Sequence, residues 1–324
     1  MRDADQVDFS LVVPVFKNEA NIPELIEAID SLMATSLTGK NEAVFVIDGS
    51  PDRSCELLLE RLPKQTWSSQ LVTHTRNFGA FAAVRTGLSV ARGKSMAVMA
   101  ADLQEPPELF AEFSEILARN EADVVFGQRL KRGDGPASSA ASKLFWKLYR
   151  RLIFPEMPEG GIDVFAINGR VKDVILSMSE PNSSLIAQLW WVGFRRKLVP
   201  YVRRPRSSGQ SAWTSRKKLA YMIDSFVSFT DLPIMMLLGL GLFGLVVSGA
   251  AGLVVLVGRL GGWITQAGYA PIMLLIVFVS SVLLLSQAIL GLYLWRTFEN
   301  TKQRPPAIIA EHVSFDGTDP NKRG

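Results

Sequence analysis

The stretch AVFVIDGSPDRS, Ala43–Ser54, contains the features that decide the fold. Ala43–Ile47 is a short, continuously apolar run, which is typical of a strand buried on both faces of a sheet. Asp48–Asp52 is rich in turn-forming residues, and Ser54 begins an amphipathic helical stretch that ends near Leu62. A buried strand followed by a turn and a helix is the repeating unit of parallel α/β sheets.

The same unit recurs over the first 127 residues. Near-continuous apolar strands that alternate with helices predict an α/β fold, with a mostly parallel sheet covered by helices on both faces. The predicted strands are Phe9–Phe16, Ala43–Ile47, Gln70–Thr75, Ser95–Ala100 and Asp123–Gly127, and the predicted helices are Ile22–Leu32, Ser54–Leu62, Phe81–Ala91 and Pro107–Asn120. After Gly127 the alternation stops.

Two aspartates follow predicted strands. Asp48 comes directly after Ala43–Ile47, and Asp102 lies just past Ser95–Ala100. Ligands of open parallel sheets bind at the carboxyl ends of the strands, which favours a site here. Asp48–Asp52 also fits a turn followed by a helix N-cap, and the pattern does not separate the two interpretations.

Two apolar runs near the C-terminus, Ile234–Gly258 and Tyr269–Leu294, each exceed the roughly 20 residues that cross a bilayer as a helix. Lysines and arginines precede the first run and follow the second, whereas the intervening Arg259–Gly268 carries one charge. The positive-inside rule therefore predicts a two-helix transmembrane hairpin with both chain ends in the cytoplasm. The first ten residues contain no apolar stretch, so no signal peptide is predicted.

The charge distribution points to lipid as a partner. The net charge is +4, and many basic residues lie close to the apolar runs, which favours anionic head groups over nucleic acid. Ser138–Phe154 and Ser215–Phe229 are candidate interfacial helices, although the first equally fits a helix packed on the domain with a solvated basic face. The tail Gln303–Gly324 is polar and predicted to be poorly ordered.

Several common kinds of site are disfavoured. The chain has neither GxxxxGK[ST] nor GxGxxG after a strand, and it lacks the GxSxG elbow of serine hydrolases. Two histidines, His74 and His312, with the lone Cys55 disfavour a His/Cys zinc centre, and one cysteine excludes an internal disulfide. Carboxylate chemistry beside a membrane is what the sequence favours.

Eight segments, in order along nearly the whole chain, resemble family 2 glycosyltransferases of the polyprenyl-phosphate type. This group includes dolichol-phosphate mannose synthases and bacterial undecaprenyl-phosphate glucosyl transferases. The segments are Val12–Ile22, Val46–Ser54, Arg76–Leu88, Ala100–Leu109, a turn at Gly127–Arg129, Gly160–Phe165, Trp190–Trp213 and Trp295–Pro305.

The resemblance implies a GT-A domain over residues 1–213, a juxtamembrane helix over 214–232, two transmembrane helices over 233–295 and a largely disordered cytoplasmic tail over 296–324. It implies transfer of a sugar from a nucleotide-sugar donor to a polyprenyl (undecaprenyl) phosphate, with Mg²⁺ or Mn²⁺ and inversion at the anomeric carbon. By analogy, the membrane is a bacterial inner membrane. The oligomeric state stays open, a homo-oligomer included.

Residue roles follow from the same resemblance. Pro14 and Asp48 would line the nucleotide pocket, with Asp48 on the base or ribose. Asp102 would be the surviving acid of a D-x-D cation motif, with Gln104 beside it. A cation held by carboxylate and phosphate oxygens would neutralise the charge that develops on the leaving diphosphate.

Four further residues take their roles from the same resemblance. Arg129 would meet a phosphate, and Arg206 with Ser211 matches a loop that closes over donor and acceptor. Asp163 matches the acid usually assigned as catalytic. Because a phosphate monoester is already mostly dianionic near neutral pH, we expect Asp163 to orient the reactants or help bind the cation, with proton abstraction the less favoured role.

Three positions depart from the family pattern. Ile47 and Ala100 stand where the family has acids, and Ala212 stands where it has a lysine. Ala100 is the best argument for an alternative, a catalytically weakened or inactive partner in a lipid-linked sugar pathway. A processive synthase would need more membrane spans and a Q-x-x-R-W element, which the chain lacks, and a soluble nucleotide-binding module would not need two apolar runs with basic flanks.

Overall fold

A computed structural model of the chain describes residues 7–130, 151, 154, 156–158, 162–178, 184–204, 232–261 and 269–317. The chain forms two compact units, of which one comprises residues 1–221 with 304–324 and the other residues 222–303. The predicted sites Arg206 and Ser211 and the predicted interfacial helix Ser215–Phe229 lie outside the described residues, as does nearly all of Ser138–Phe154.

The first unit is built on an eight-stranded sheet. Its strands are β1 Phe9–Val15, β2 Asn41–Ile47, β3 Ser68–His74, β4 Ser95–Val98, β5 Val124–Arg129, β6 Ile162–Asn168, β7 Arg196–Tyr201 and β8 Ile309–Phe315. Its helices are α1 Ile22–Ser31, α2 Ser54–Arg61, α3 Ala80–Val90, α4 Glu108–Ala118, α5 Gly169–Ser177 and α6 Leu185–Trp191.

The strand order is β7-β5-β6-β4-β1-β2-β3-β8, and β6 and β8 run antiparallel to their neighbours. The predicted mostly parallel α/β sheet is therefore confirmed. Alternate residues of β1 face opposite helices: Leu11 belongs to the core formed with α1 and α4, whereas a Cβ on Gly87 of α3 would lie 2.3 Å from Val12 Cγ1. Apolar residues on both faces of the strand account for its continuous hydrophobicity.

Pro14 marks the point where β1 and β4 diverge. The Val12 carbonyl accepts a hydrogen bond from Met99 N at 2.9 Å, so Val12 and then Pro14 direct their backbone groups towards β4. Because β4 ends at Val98, the missing N–H of Pro14 removes no ladder hydrogen bond from this central strand. The divergence opens the sheet between β1 and β4, where the order of strands reverses.

The region after Gly127 differs from the prediction. Gly127–Arg129 is the carboxyl end of β5 rather than a turn, and β6 and β7 extend the sheet beyond it. β6 inserts antiparallel between β4 and β5, so it does not follow the strand–helix alternation on which the prediction relied. β7 is an edge strand in which Lys197 and Leu198 are exposed, so it lacks the apolar run of a buried strand.

The predicted disordered tail is also wrong over Ile309–Phe315, which form β8 and pair with β3. His312 lies opposite Val72, and its Nε2 contacts Gln70 Oε1 at 2.8 Å. Phe315 packs against the hydrophobic core. The strand is mostly exposed at the edge of the sheet, so its composition resembles that of a polar tail although its backbone is hydrogen-bonded.

The second unit contains two long helices, α7 Leu232–Leu260 and α8 Tyr269–Thr301. They coincide with the two apolar runs. Within the described residues one segment, Phe278–Thr301, is long and apolar enough to cross a membrane, and its large apolar side chains are exposed, Leu284 by 67% and Leu294 by 70%. This segment is a membrane candidate by length and composition.

Candidate active site

The predicted site residues lie on one edge of the sheet. The carboxyl ends of β1, β2, β4, β5 and β7 meet there, and so does the amino end of the antiparallel β6. This edge carries Pro14, Asp48, Asp102, Arg129 and the backbone of Asp163. Gln104 lies in the same loop as Asp102, so the topology brings six of the eight predicted site residues to one side of the domain.

Asp48 is the centre of a buried polar network. Its side chain accepts hydrogen bonds from the backbone N–H groups of Phe78 and Gly79, both at 2.8 Å, and contacts His74 Nδ1 at 2.9 Å. The other ring nitrogen of His74 lies 2.9 Å from Thr86 Oγ1. Asp48 is 2% exposed, so its carboxylate holds the loop before α3 instead of facing a ligand.

The electrostatics agree with a carboxylate that is held in its charged form. Burial raises the pKa of Asp48, but the hydrogen bonds from His74, Phe78 and Gly79 lower it more, and the net pKa lies below its ordinary value. The hydrogen bonds of Asp48 to protein groups are what the structure describes, and its predicted contact with base or ribose stays a prediction. Asp48 joins the loop after β2 to the loop after β3.

The loops after β2 and β3 are interlocked at Gly49 and Gly79. A Cβ on Gly49 would lie 2.3 Å from the backbone carbon of Arg76, so no side chain fits there. Gly79 has open space around it but a φ of +101°, a backbone conformation that side chains with a Cβ rarely adopt. Position 49 requires glycine because the neighbouring backbone is too close for a side chain. Position 79 requires glycine because of its backbone conformation.

The rest of the Asp48–Asp52 segment is the turn that the second interpretation predicted. Asp52 Oδ1 accepts from Ser50 Oγ at 2.5 Å and from Ser54 N at 3.3 Å at the start of α2. Asp52 Oδ2 accepts from Glu19 N at 3.1 Å, which connects this turn to the loop after β1. Both aspartates of the motif therefore have structural roles.

The loop between β4 and α4 carries Asp102 and has a different construction. Leu103 adopts a φ of +53°, which is uncommon for a branched, Cβ-bearing residue and costs on the order of 1 kcal/mol. Leu103 is nevertheless 9% exposed and belongs to the core, so packing holds it in this conformation. The strained turn leaves the neighbouring Asp102 half-buried on the edge of the sheet.

A distant segment, residues 202–204 after β7, fastens this loop. Arg204 N donates to Gln104 O at 2.8 Å. The Arg203 guanidinium donates to Gln104 Oε1 and lies 3.9 Å from Oε1 of Glu105, a carboxylate that is 1% exposed. Arg203 is thus the cation that accompanies a buried acid directly beside the Asp102 turn.

Asp102 opens onto a cleft of about 340 Å³ between this loop and α1. Glu24, Glu27, Leu103, Pro107 and Arg204 are among its other lining residues. Arg204 lies 3.5 Å from Glu108, an exposed pair that contributes little to stability. The cleft is therefore lined by carboxylates with one guanidinium at its border.

The residues near Asp102 fit a divalent cation through a single protein carboxylate. No group of three or more His, Cys, Asp or Glu side chains suited to a metal occurs in the described part of the chain. The Gln104 oxygen is occupied by Arg203, and Ala100 contributes no oxygen from its side chain. Hard cations bind water and phosphate oxygens as well as carboxylates, so one protein carboxylate fits a cation that also binds phosphate.

Arg129 is half-buried at the end of β5 and lies opposite Tyr201 of β7. Asp163 lies on β6, next to the position where Ile162 pairs with Gln128. Sequence reasoning did not single out His74 or Arg203 as site residues. His74 lies two residues before the Arg76–Leu88 motif, a signal that could have identified it. No local pattern links Arg203 to Gln104, 99 residues away.

The chain is similar to bacterial and phage glycosyltransferases over almost its whole length. An uncharacterised glycosyltransferase of Synechocystis is 28% identical over 306 residues, which cover 94% of this chain and 95% of the relative. A bactoprenol glucosyl transferase of Shigella phage SfV is 29% identical over 301 residues, which cover 93% of this chain and 97% of the relative. These alignments span both units of the chain.

Solved structures resemble the chain more distantly. A mannosyltransferase of Pyrobaculum calidifontis in complex with GDP-Man and Mn²⁺ aligns with a TM-score of 0.43 and 17% identity, over 61% of this chain and 56% of that chain. The family described as Glycosyl transferase family 2 matches residues 10–175, slightly more than half of the 324 residues. That match begins in β1, contains the loops with Asp48 and Asp102, and ends in α5. The chain belongs to glycosyl transferase family 2.

Proposed function

We propose that this protein is a membrane-anchored glycosyltransferase that moves a sugar from a nucleotide-sugar donor to a polyprenyl phosphate at the cytoplasmic face of a membrane. The observation that carries the proposal is the alignment with a bactoprenol glucosyl transferase over 93% of this chain and 97% of that relative. An alignment of that extent must include most of α7 and α8. A likeness confined to the sugar-transfer domain would leave these two helices out.

The donor would bind in the crevice between β1 and β4, with Pro14 on its border and Asp102 towards its diphosphate. A divalent cation, Mg²⁺ or Mn²⁺, would be held by Asp102 and would neutralise charge on the leaving diphosphate. Arg129 would donate to a phosphate oxygen from the same edge of the sheet. Asp48 would act indirectly, because its carboxylate fixes the loops that border the nucleotide.

The acceptor oxygen needs little activation. A phosphate monoester is mostly dianionic near neutral pH and attacks without losing a proton to the protein. Asp163 would therefore orient the reactants or support the cation, and Arg206 with Ser211 would close over donor and acceptor. Inversion at the anomeric carbon is the stereochemistry that we propose from the family resemblance.

The helices α7 and α8 would form a two-helix transmembrane hairpin, with the sheet domain in the cytoplasm. The predicted boundaries 233–295 lie inside the range from the start of α7 to the end of α8. β8 follows α8 and pairs with β3 of the sheet, which supports a hairpin whose two ends lie on the same side of the membrane. Lys302 and Arg304 after the second run agree with a cytoplasmic position.

The alternative is a catalytically inactive partner in a lipid-linked sugar pathway, and Ala100 is the observation that favours it. The two functions differ in whether a lipid-linked sugar is formed. Detergent-purified protein would be incubated with undecaprenyl phosphate, Mg²⁺ or Mn²⁺ and a panel of nucleotide sugars, and the lipid extract would be analysed by mass spectrometry. A glycosylated lipid from one donor supports the transferase, whereas its absence from folded protein with every donor would support the inactive partner.

A further inference from the structure

Arg203 and a divalent cation need the same atom. Gln104 follows Asp102 by two residues, and its Oε1 is the second oxygen that the family resemblance would give to a cation. In the structure that oxygen accepts a hydrogen bond from the Arg203 guanidinium. A guanidinium cannot be deprotonated in a protein, so its positive charge opposes a second cation at the same oxygen.

We propose that Arg203 competes with the divalent cation for Gln104 and thereby sets how tightly the protein binds that cation. The inference rests on the proposed metal-assisted transfer and names a residue that regulates the same site. With Ala100 at the first position of the D-x-D pattern, Asp102 and Gln104 are the two residues that the family resemblance assigns to the cation. While Arg203 holds the Gln104 amide oxygen, Asp102 is the one of these two residues that offers an oxygen to the cation.

The surroundings of Arg203 explain why the guanidinium is held in this position. Glu105 is 1% exposed and lies 3.9 Å from Arg203, and a buried carboxylate attracts a nearby cation strongly. The backbone hydrogen bond from Arg204 N to Gln104 O fixes the segment independently of either arginine side chain. The Arg203 side chain can therefore leave Gln104 Oε1 while the backbone stays attached to the loop.

Arg204 provides a matched control. It is the adjacent guanidinium, it carries the same charge, and its side chain pairs with the exposed Glu108 at 3.5 Å rather than with Gln104. Arg203→Ala and Arg204→Ala change the net charge of the protein equally. A difference between them reports the contact with Gln104 or Glu105 and not the general electrostatic field.

The experiment measures Mn²⁺ binding by electron paramagnetic resonance of the free ion, with full-length detergent-purified protein and UDP or GDP present. A blank with nucleotide but no protein gives the binding to nucleotide alone. We expect Arg203→Ala to tighten Mn²⁺ binding by about 3- to 10-fold, because a positive charge is removed from a coordinating oxygen. Arg204→Ala removes an equal charge from the border of the Asp102 cleft and should tighten Mn²⁺ binding less than Arg203→Ala does, because the Arg204 side chain pairs with Glu108 and not with Gln104.

A substitution of Gln104 tests whether its Oε1 is the atom for which Arg203 and the cation compete. Adding Gln104→Ala to Arg203→Ala should abolish the gain, whereas Gln104→Ala alone should change Mn²⁺ binding little because Arg203 already occupies the amide oxygen. Arg203→Lys keeps a positive charge beside Glu105 and serves as the second variant if Arg203→Ala lowers the melting temperature. It should give an intermediate gain, because an ammonium lacks the planar fork of a guanidinium.

Unchanged or weaker Mn²⁺ binding by Arg203→Ala and Arg203→Lys, in proteins that melt at the wild-type temperature, would overturn the inference and leave the transferase proposal standing. A gain that survives the removal of Gln104 would also overturn it. Conversely, the expected pattern of Mn²⁺ binding in a protein that makes no lipid-linked sugar would support the competition and reject the proposed function.

Discussion

The loops after β2 and after β4 each carry an aspartate at the same edge of the sheet, and they use it differently. Asp48 is 2% exposed and engages two backbone N–H groups and a histidine. Asp102 is half-buried, lines a cleft and follows a pair of alanines. Both aspartates therefore follow the end of a parallel strand, but Asp48 belongs to a buried polar network whereas Asp102 faces a crevice.

The two loops also differ in how they are supported. The loop after β2 is fixed by its neighbours on β3 and α3, and its glycines permit a close fit. The loop after β4 contains a strained Leu103 and depends on Arg203 and Arg204 from a segment about 100 residues away. Strain maintained by the surrounding structure is common at functional sites, whereas a fully hydrogen-bonded buried carboxylate is typical of structural networks.

The largest expected effect is on turnover, from Asp102→Asn. Loss of the carboxylate would remove the proposed protein ligand of the cation, and we expect the rate of lipid-dependent sugar transfer to fall by about 100-fold or more. The melting temperature should stay within about 2 °C of wild type, since Asp102 is half-buried at a loop. If Asp102→Asn kept a turnover within a few-fold of wild type, Asp102 would not be the functional one of the two aspartates.

Asp48→Asn should act mainly on the stability of the protein, whereas Asp102→Asn acts mainly on turnover. The amide group would direct N–H towards a backbone N–H of the loop before α3, so a buried donor loses its acceptor, and we expect a cost of about 2–3 kcal/mol in the free energy of unfolding. Differential scanning calorimetry should show a melting temperature lower by roughly 5–10 °C. Asp102→Asn is the matched control, and equal melting temperatures for the two variants would contradict the comparison.

Gly79→Ala tests the backbone conformation that the Asp48 network requires. The space around Gly79 would accommodate a methyl group, so any cost comes from the φ of +101°. We expect about 1–2 kcal/mol of destabilisation. Gly241→Ala, at a helical glycine that also has open space, is the control and should cause no loss of stability. Equal stability of the two variants would show that the turn adapts without strain.

The smallest expected effect is on the melting temperature at acidic pH. The pKa of Asp48 is lower in the folded protein than its ordinary value of 3.8, so its charged form contributes stability that is present above pH 3.8 and is lost as pH falls through the folded pKa. Melting temperatures measured from pH 6 to pH 3 should therefore fall more steeply for wild type than for Asp48→Asn. Parallel curves would mean that Asp48 titrates alike in folded and unfolded chains.

The strand–helix units up to β5 could be predicted because each apolar run and each helical stretch is local in sequence. Residues whose positions depend on long-range pairing could not be predicted in the same way. β8 is mostly exposed and resembles a polar tail, and β6 enters the sheet antiparallel between strands that precede it in sequence. Their strand character comes from the partner strand and not from their own composition.

The site shows the same division. Asp48 and Asp102 could be found because both follow predicted strands, but their different roles depend on His74, on two backbone N–H groups and on Arg203, which no spacing in the sequence connects. Gln104 was predicted to accompany a cation, and its contact with a guanidinium is a property of the folded chain.

The most direct test of the central claim is nucleotide release by the reconstituted full-length protein, measured with each nucleotide sugar in the presence and absence of undecaprenyl phosphate. The proposed function predicts release that requires the lipid phosphate, a divalent cation and one particular donor, and that falls about 100-fold or more in Asp102→Asn. Release that is independent of the lipid, or no release from folded wild-type protein with any donor, would contradict it.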